Sequence, residues 1–476
     1  MDSLALLLAR FQFGMTAFFH FLYPPLTIGL GTLLVITEGI YVFSKNQEYL
    51  RITRFFAKLF AINFVVGVAT GIVMEFQFGT NWSQYSSYVG AIFGAPLAIE
   101  GLFAFFMESI FVGVMLLGWN RLSAKAHWVS TIFVALGSTL SAVWILVANS
   151  WMQSPAGYKI GSNGIPKMTN FWHVVFNPYF PSEFIHVIGA AWEYSAFFMA
   201  GVAAWFLIKN NKDTIMRKAL KVAVISGVIV ACLQIVLGDI SAREVVEYQP
   251  TKLAMMEAQW HSQRYAPETL FALPNNATES NGPQIGIPGM LSMLAYMNPA
   301  AKVMGLNQAI KYINKKDFKT DGTKLTLAMF PPVSLVFWSF HIMMYFGFYF
   351  ALIMLIALYL LFKGKLYDSP KMLKVFWFST FLPLIAIEFG WFTTEIGRQP
   401  FTVYGLLTTV KSVSPNVSAL DVGLSTLMFT LIYITLASFA IFLFKRELRE
   451  RAEGKDELAG ESAAPAAVSN NKEALS

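Results

Sequence analysis

Apolar runs longer than the ~20 residues that carry a helix across a bilayer recur along this chain, separated by short polar connections. The pattern predicts nine membrane-spanning helices, over 14–43, 52–78, 93–119, 126–150, 183–209, 219–239, 331–362, 373–395 and 422–445. Basic residues gather in alternate connections. Lys45, Arg51, Arg54 and Lys58 mark the first, Arg121 and Lys125 the third, and Lys209, Lys212, Arg217, Lys218 and Lys221 the fifth. Lys363, Lys365, Lys371 and Lys374 mark the seventh, and the tail opens KRELRER. The intervening loops are nearly bare; GTNWSQYSSYVGAIFG (79–94) has no Lys or Arg. Cytoplasmic loops collect Lys and Arg, so the odd-numbered loops and the C-terminus are expected in the cytoplasm and the N-terminus outside. The predicted class is an all-α polytopic membrane protein.

Two stretches break the rhythm. Residues 240–330 form an external insertion rich in Pro, Asn, Gln and charge, and a loop of that length is usually functional or mobile. Residues 453–476 are small and polar and read as a disordered cytoplasmic tail. The chain thus divides into a six-helix membrane part (1–239), an external loop (240–330), a three-helix membrane part (331–452) and a tail (453–476). The opening MDSLALLLARFQFG lacks the basic leader of a cleavable signal peptide, so the first helix is expected to be retained.

Composition sharpens this in four places. With 56% hydrophobic and 13% charged residues, the chain has about half the charge of a soluble domain. Its 44 Phe within 16% aromatic residues suit lipid contact and also a flat macrocycle. The single cysteine, Cys232, excludes disulfides and thiolate metal clusters. The net charge of +7 resides in the cytoplasmic connections, so it reports topology rather than binding to nucleic acid.

Ionisable residues inside spans are costly and tend to mark a pathway or a site. His20, His186, His341, Met343, Glu100 and Glu395 all fall in the outer halves or outer ends of their predicted helices. Each alone has an ordinary alternative, an interhelical hydrogen bond; their common depth favours a metal site. Separated His, Met and carboxylate donors among Phe and Trp match axial ligation of haem. Zinc or di-iron sites would need closely spaced pairs, which these spans lack. His341 and Met343 are about 200° apart on a helix and cannot both face one iron, and imidazole is the commoner ligand, which favours His341. Glu108 is predicted near mid-membrane, ~12 Å along the helix from Glu100. With Ser141 at comparable depth, the two acids could relay protons or simply be protonated interhelical contacts. Segment 241–265 reads either as an amphipathic helix on the membrane surface or as a platform for a quinol head group with carboxylate bases.

Six stretches then carry a resemblance: ARFQFGMTAFFHFLYPPLTIGL (9–30), GWNRLSAKAHW (118–128), LSAVWILVANSWMQ (140–153), QPTKLAMMEAQW (249–260), FWSFHIM (337–343) and GWFTTEIGRQP (390–400). In this order, over all nine spans and the external loop, they resemble subunit I of cytochrome bd-type quinol oxidases. The resemblance implies a bacterial inner-membrane, multi-pass respiratory enzyme that oxidises quinol and reduces O2 to water. It would work with a cytochrome bd-type subunit II and carry a low-spin haem b, a high-spin haem b, and haem d or a further haem b. It implies that His20 and Glu395 ligate the high-spin haems, and His186 and Met343 the low-spin haem b, overruling His341. It places Lys252 and Glu257 at the quinol, and Glu108, Ser141 and Glu100 on the proton route. Arg398 would pair with haem propionates, and Trp391 would lend an aromatic face.

This chain departs from well-known members at His341, where they carry Arg, and at Phe401, where they carry Trp; MYFGFYF after Met343 also departs. These features and the short external loop resemble the cyanide-insensitive branch. The competing class is a haem-free ion-coupled transporter using the buried carboxylates. A third is a haem protein that shuttles electrons without reducing oxygen.

Overall fold

Among the described residues, nine helical segments are long and apolar enough to cross a membrane, in the number and order predicted. The computed structural model describes residues 3–315 and 323–454; from residue 455 on, the predicted tail lies outside the described residues.

The first span is broken. α1 (Ser3–Phe21) and α2 (Pro24–Ser44) meet at the Pro24–Pro25 pair, which has no N–H groups to donate. Asn63 of α3 (Gln47–Thr80) donates to the Tyr23 carbonyl at the break (2.8 Å) and to Thr27 (2.8 Å). Neighbours that satisfy exposed backbone in this way make such breaks tolerable in a membrane. The span also starts earlier than the predicted residue 14. Gln12, which interrupts the apolar run, is buried and donates to Ser425 and Thr426 of α16 (Ala419–Ala452) at 2.8 and 3.0 Å.

The third span comprises α4 (Ser83–Ile99), a π-helical turn (Glu100–Phe105) and α5 (Phe106–Leu117). α6 (Ala124–Gln153) follows, then a β1 (Tyr158–Ile160)–β2 (Pro166–Met168) hairpin and the short α7 (Phe171–Val175). α8 (Phe180–Lys209) is the central helix, with 83% of its most apolar window buried. α9 (Thr214–Tyr248) overruns its predicted end at 239, aided by an i,i+4 ion pair from Arg243 to Asp239 (2.8 Å).

The 240–330 segment is built around α10 (Pro250–Met256), whose residues 251–256 are all buried. The reading of 241–265 as a helix lying on the membrane surface therefore does not hold. β3 (Gln263–Arg264), β4 (Glu268–Asn275), β5 (Ser280–Ile287), α11 (Met290–Tyr296), β6 (Lys302–Val303) and α12 (Leu306–Lys315) follow, with β4 and β5 forming an antiparallel hairpin. The last spans are α13 (Val333–Phe362), then α14 (Pro370–Phe378) with α15 (Leu382–Gly397), and α16.

The basic connections converge on one face. Arg217 reaches Asp368 (3.6 Å), Arg451 reaches Asp213 (3.3 Å), Lys58 reaches Glu447 (3.1 Å), and Lys218 pairs with Glu48. The remaining connections meet at the opposite ends of the helices, where Gln249 donates to the Gln153 carbonyl (2.8 Å) and the Tyr404 backbone N–H to that of Met152 (2.9 Å).

α2 approaches α8 so closely that a Cβ on Gly29 would collide with the Ala191 carbonyl and the Ser195 hydroxyl. A backbone carbonyl cannot step aside as a flexible side chain can, and overpacking of this kind costs about 1–3 kcal/mol or more. Gly29→Val is expected to lower the Tm of the purified protein clearly, whereas Gly14→Val, in open space, should leave it nearly unchanged. Equal melting of the two variants would contradict this packing.

Candidate functional site

His186, His341, Met343 and Glu395 sit in the turns of α8, α13 and α15 away from the basic face, while His20 lies at the break within the first span. On α1, His20 Nδ1 lies 3.1 Å from the Thr70 hydroxyl, which itself donates to the Gly67 carbonyl (2.9 Å). The hydroxyl oxygen therefore accepts from Nδ1, leaving the lone pair on Nε2, the arrangement an imidazole ligand requires. α1 meets α15 through aromatic pairs, Phe21 edge-on to Trp391 (4.8 Å) and Phe18 stacked near Phe392 (6.4 Å). His20, Trp391 and Glu395 thus belong to one region.

His186 on α8 is held by Gln234, whose amide lies 2.9 Å from the His186 carbonyl and 3.2 Å from Nδ1. Its Nε2 takes no hydrogen bond from the described residues. On α13, His341 and Met343 have different surroundings. Both His341 ring nitrogens are committed, to the Phe337 carbonyl at 2.9 Å and the Thr269 carbonyl at 2.6 Å, and the ring stacks on Phe337 (3.9 Å). These carbonyls hold the His341 ring between α13 and β4. Met343 Sδ instead faces α15, 2.9 Å from where a Cβ on Gly390 would stand.

At the end of α15, Glu395 pairs with Arg398 and accepts from Asn149 of α6 (2.9 Å). Arg398 is 4% exposed, yet its Nε and Nη1 have no hydrogen-bond partner among the described residues. Both carboxylate oxygens of buried Glu183, one turn before His186, are likewise unpartnered. Such groups are rarely left so; an anionic group would complete Arg398, and a hydrogen-bond donor would complete Glu183.

α6 links this end to the other acids. Ser141 donates to Glu100 (2.6 Å), at the start of the π-helical turn, and Ser138 donates to Glu108. The hydroxyl beside Glu108 is therefore Ser138, and Ser141 belongs to Glu100. The extra residue in the π turn changes the angular relation of the two acids, which ideal helix geometry could not anticipate.

In the external segment, Lys252 lies buried at 1% exposure, its stem against Gly397 and its amine 2.8 Å from Gln153 Oε1. Burial, and next the Arg398 guanidinium, lower it to about 7 against the opposing pull of Glu395 and Glu183. Glu257 is also buried, with Oε2 unpartnered; burial and then the charge of Glu268 hold it well above the usual carboxylate range. Gln153 also accepts from Gln249 (2.7 Å) and lies 3.4 Å from Asn149.

The cytochrome bd terminal oxidase subunit I model matches residues 8–452. The chain belongs to this family. It is 42% identical over 449 residues to cytochrome bd ubiquinol oxidase subunit 1 of Bacillus subtilis (strain 168), covering 94% of each chain. It is 38% identical over 493 residues to cytochrome bd-II ubiquinol oxidase subunit 1 of Escherichia coli (strain K12), covering 93% of this chain and 96% of the relative. The bd oxidase structure from Geobacillus thermodenitrificans superposes with a TM-score of 0.85 at 29% identity, covering 94% of this chain and 98% of that one. The subunit is thus a quinol:oxygen oxidoreductase of the bacterial respiratory membrane, a multi-pass inner-membrane protein with haem cofactors that works with a subunit II. The transporter reading is not favoured.

Sequence reasoning passed over Ser138, Asn149, Gln153, Glu183 and Glu388. The signal was present, since each is polar within an apolar run, but averaging hydropathy over a window conceals single residues. Removing the side-chain acceptor with Gln153→Leu leaves the buried Lys252 amine without it, at about 1–3 kcal/mol for an unsatisfied group, while Gln249 keeps the Gln153 carbonyl. The purified complex should melt earlier in differential scanning fluorimetry; an unchanged Tm would show that Gln153 is dispensable.

Proposed function

We propose that quinol is oxidised at the external segment and that protons for oxygen reduction arrive through α6 from the opposite, basic face. The observation supporting this reading is the sequence of contacts along one helix. Ser138 touches Glu108, Ser141 touches Glu100, Asn149 touches Glu395, and Gln153 touches Lys252. Over these fifteen residues α6 rises ~22 Å, enough to lead from the membrane interior to the external segment.

In this proposal the basic face is cytoplasmic, by the positive-inside rule, so the N-terminus is outside. His20 and Glu395 hold the high-spin haems, and His186 with Met343 holds the low-spin haem b. The unpartnered nitrogens of Arg398 suit haem propionates, with which guanidinium forms charge-assisted hydrogen bonds. Trp391 supplies an aromatic edge beside Phe21. When bound, haem would supply one-electron transfer and the reduction of O2, as haem b or haem d at the oxygen end. The glycines opposite His20 and Met343, Gly71 and Gly390, leave room at the donors that a methyl group would fill.

Lys252 and Glu257 meet the quinol. The lysine donates to a quinol oxygen, and the carboxylate accepts a hydroxyl proton and returns it to the outside. Glu108 and Glu100 pass protons outward, each held by one α6 hydroxyl, toward Glu395. Because quinol protons leave on one side and oxygen's protons enter from the other, charge crosses the membrane without a pump. The exposed apolar surface of α16, with Leu420, Leu424, Leu427, Leu431 and Phe439 outward, suits lipid or subunit II.

Glu108→Leu tests the inward route. Quinol-driven oxygen consumption should fall on the order of 100-fold, as for loss of a proton-transfer group, with the low-spin haem spectrum intact. Turnover equal to the unaltered enzyme would overturn the route.

A further inference from the structure

Glu268, at the start of β4, was not anticipated as a functional residue. It stands against Glu257 at the end of α10. One carboxylate oxygen from each, and a ring nitrogen of His341, lie within 4.8 Å of one another. Glu257 is 3% and Glu268 7% exposed, and in both the Oε2 atom has no hydrogen-bond partner among the described residues. The trio has the composition of a metal site but not its availability. His341 already serves two carbonyls, at 2.9 and 2.6 Å, and would have to abandon one of them to bind a cation.

Two buried carboxyl groups this close do not both ionise; they hold one proton between them. Burial pushes Glu268 upward, and burial with the Glu268 charge pushes Glu257 upward. Against this, a hydrogen bond with the Thr269 backbone lowers Glu257. From α13, His341 and Tyr345 face the pair, and the Tyr345 hydroxyl donates to the Leu270 carbonyl. α12 turns Lys311 and Lys315 to solvent, β5 and α11 carry no charged residue, and Lys252 of α10 is directed to Gln153.

We infer that Glu268 is the positioning partner of Glu257 in quinol oxidation, sharing one proton with it and so setting the pH at which Glu257 can accept another. The inference rests on the external segment being the quinol site. In each of two rounds per quinol, a quinol O–H bond breaks and its proton moves to the Glu257 carboxylate oxygen. The electron leaves toward oxygen, the oxidant that the oxidase activity supplies. The doubly protonated pair then loses one proton to the external medium and regains its single-proton state. Two protons and two electrons leave per quinol, which becomes quinone.

The test is kcat/KM for quinol against pH, by oxygen consumption of the purified complex, for Glu268→Gln, Glu268→Ala and Glu268→Asp. Removing the like charge makes Glu257 a stronger acid. The acidic limb should therefore move to lower pH by about one unit in both neutral variants, with kcat/KM reduced about tenfold. Glu268→Asp should return the limb toward its original position. Haem content and the rate with an artificial donor that bypasses the external segment should be unchanged throughout, which certifies assembly. If the limb stays in place in the neutral variants, the inference is overturned. If Glu257→Gln itself leaves kcat/KM for quinol unchanged, the quinol-site reading fails instead.

Discussion

The contact between Arg398 and Glu395 at the end of α15 is the point from which the rest of the site is organised. Glu395 reaches back to Asn149, Asn149 neighbours Gln153, and Gln153 holds Lys252. A single hydrogen-bonded line therefore ties the end of α15, the outer turns of α6 and the buried helix α10. Gly397 permits it, because a side chain there would displace the Lys252 stem. Removing one member of a buried ion pair costs about 3–5 kcal/mol, although the third of Glu395 that remains exposed softens that figure. Arg398 carries more donors than Glu395 can use, and this surplus is what makes the region suited to an additional anion.

A bilayer offers no water to polar groups, so those inside it must find partners in the protein or in a cofactor. The chain obeys this at Asn63, Gln12, Ser138 and Ser141. It also satisfies the deep pair of His127 with Glu38 at 2.5 Å, which Thr131 joins at 2.6 Å. Unpartnered buried atoms remain on several elements; those of Glu183 on α8 and of Arg398 at the end of α15 lie within a turn of His186 and Glu395.

Much of the fold was legible because it rests on strong local signals. Apolar run length gave nine spans in order, and Lys and Arg placement foretold which connections converge on one face. What remained hidden depends on tertiary partners. The broken first span is stabilised by Asn63 from another helix, and α10 is buried by packing that an amphipathic pattern does not reveal. The site was legible in its residue types at common depth, but not in its pairings. The π turn redirects Glu100, so Ser138 and Ser141 take different acids. His341 looked the better ligand by chemistry alone, and its contact with the Thr269 carbonyl, 72 residues away in sequence, could not be read from the chain. Glu268 becomes noticeable only when β4 folds back onto α10.

The account turns on Met343, rather than His341, being the partner of His186 at the low-spin haem. The most direct measurement is the reduced-minus-oxidised spectrum of the purified complex carrying Met343→Leu or His341→Leu. The account predicts loss of the low-spin haem b signal in Met343→Leu, with the high-spin signals retained, and its survival in His341→Leu. Loss in His341→Leu with survival in Met343→Leu would contradict it.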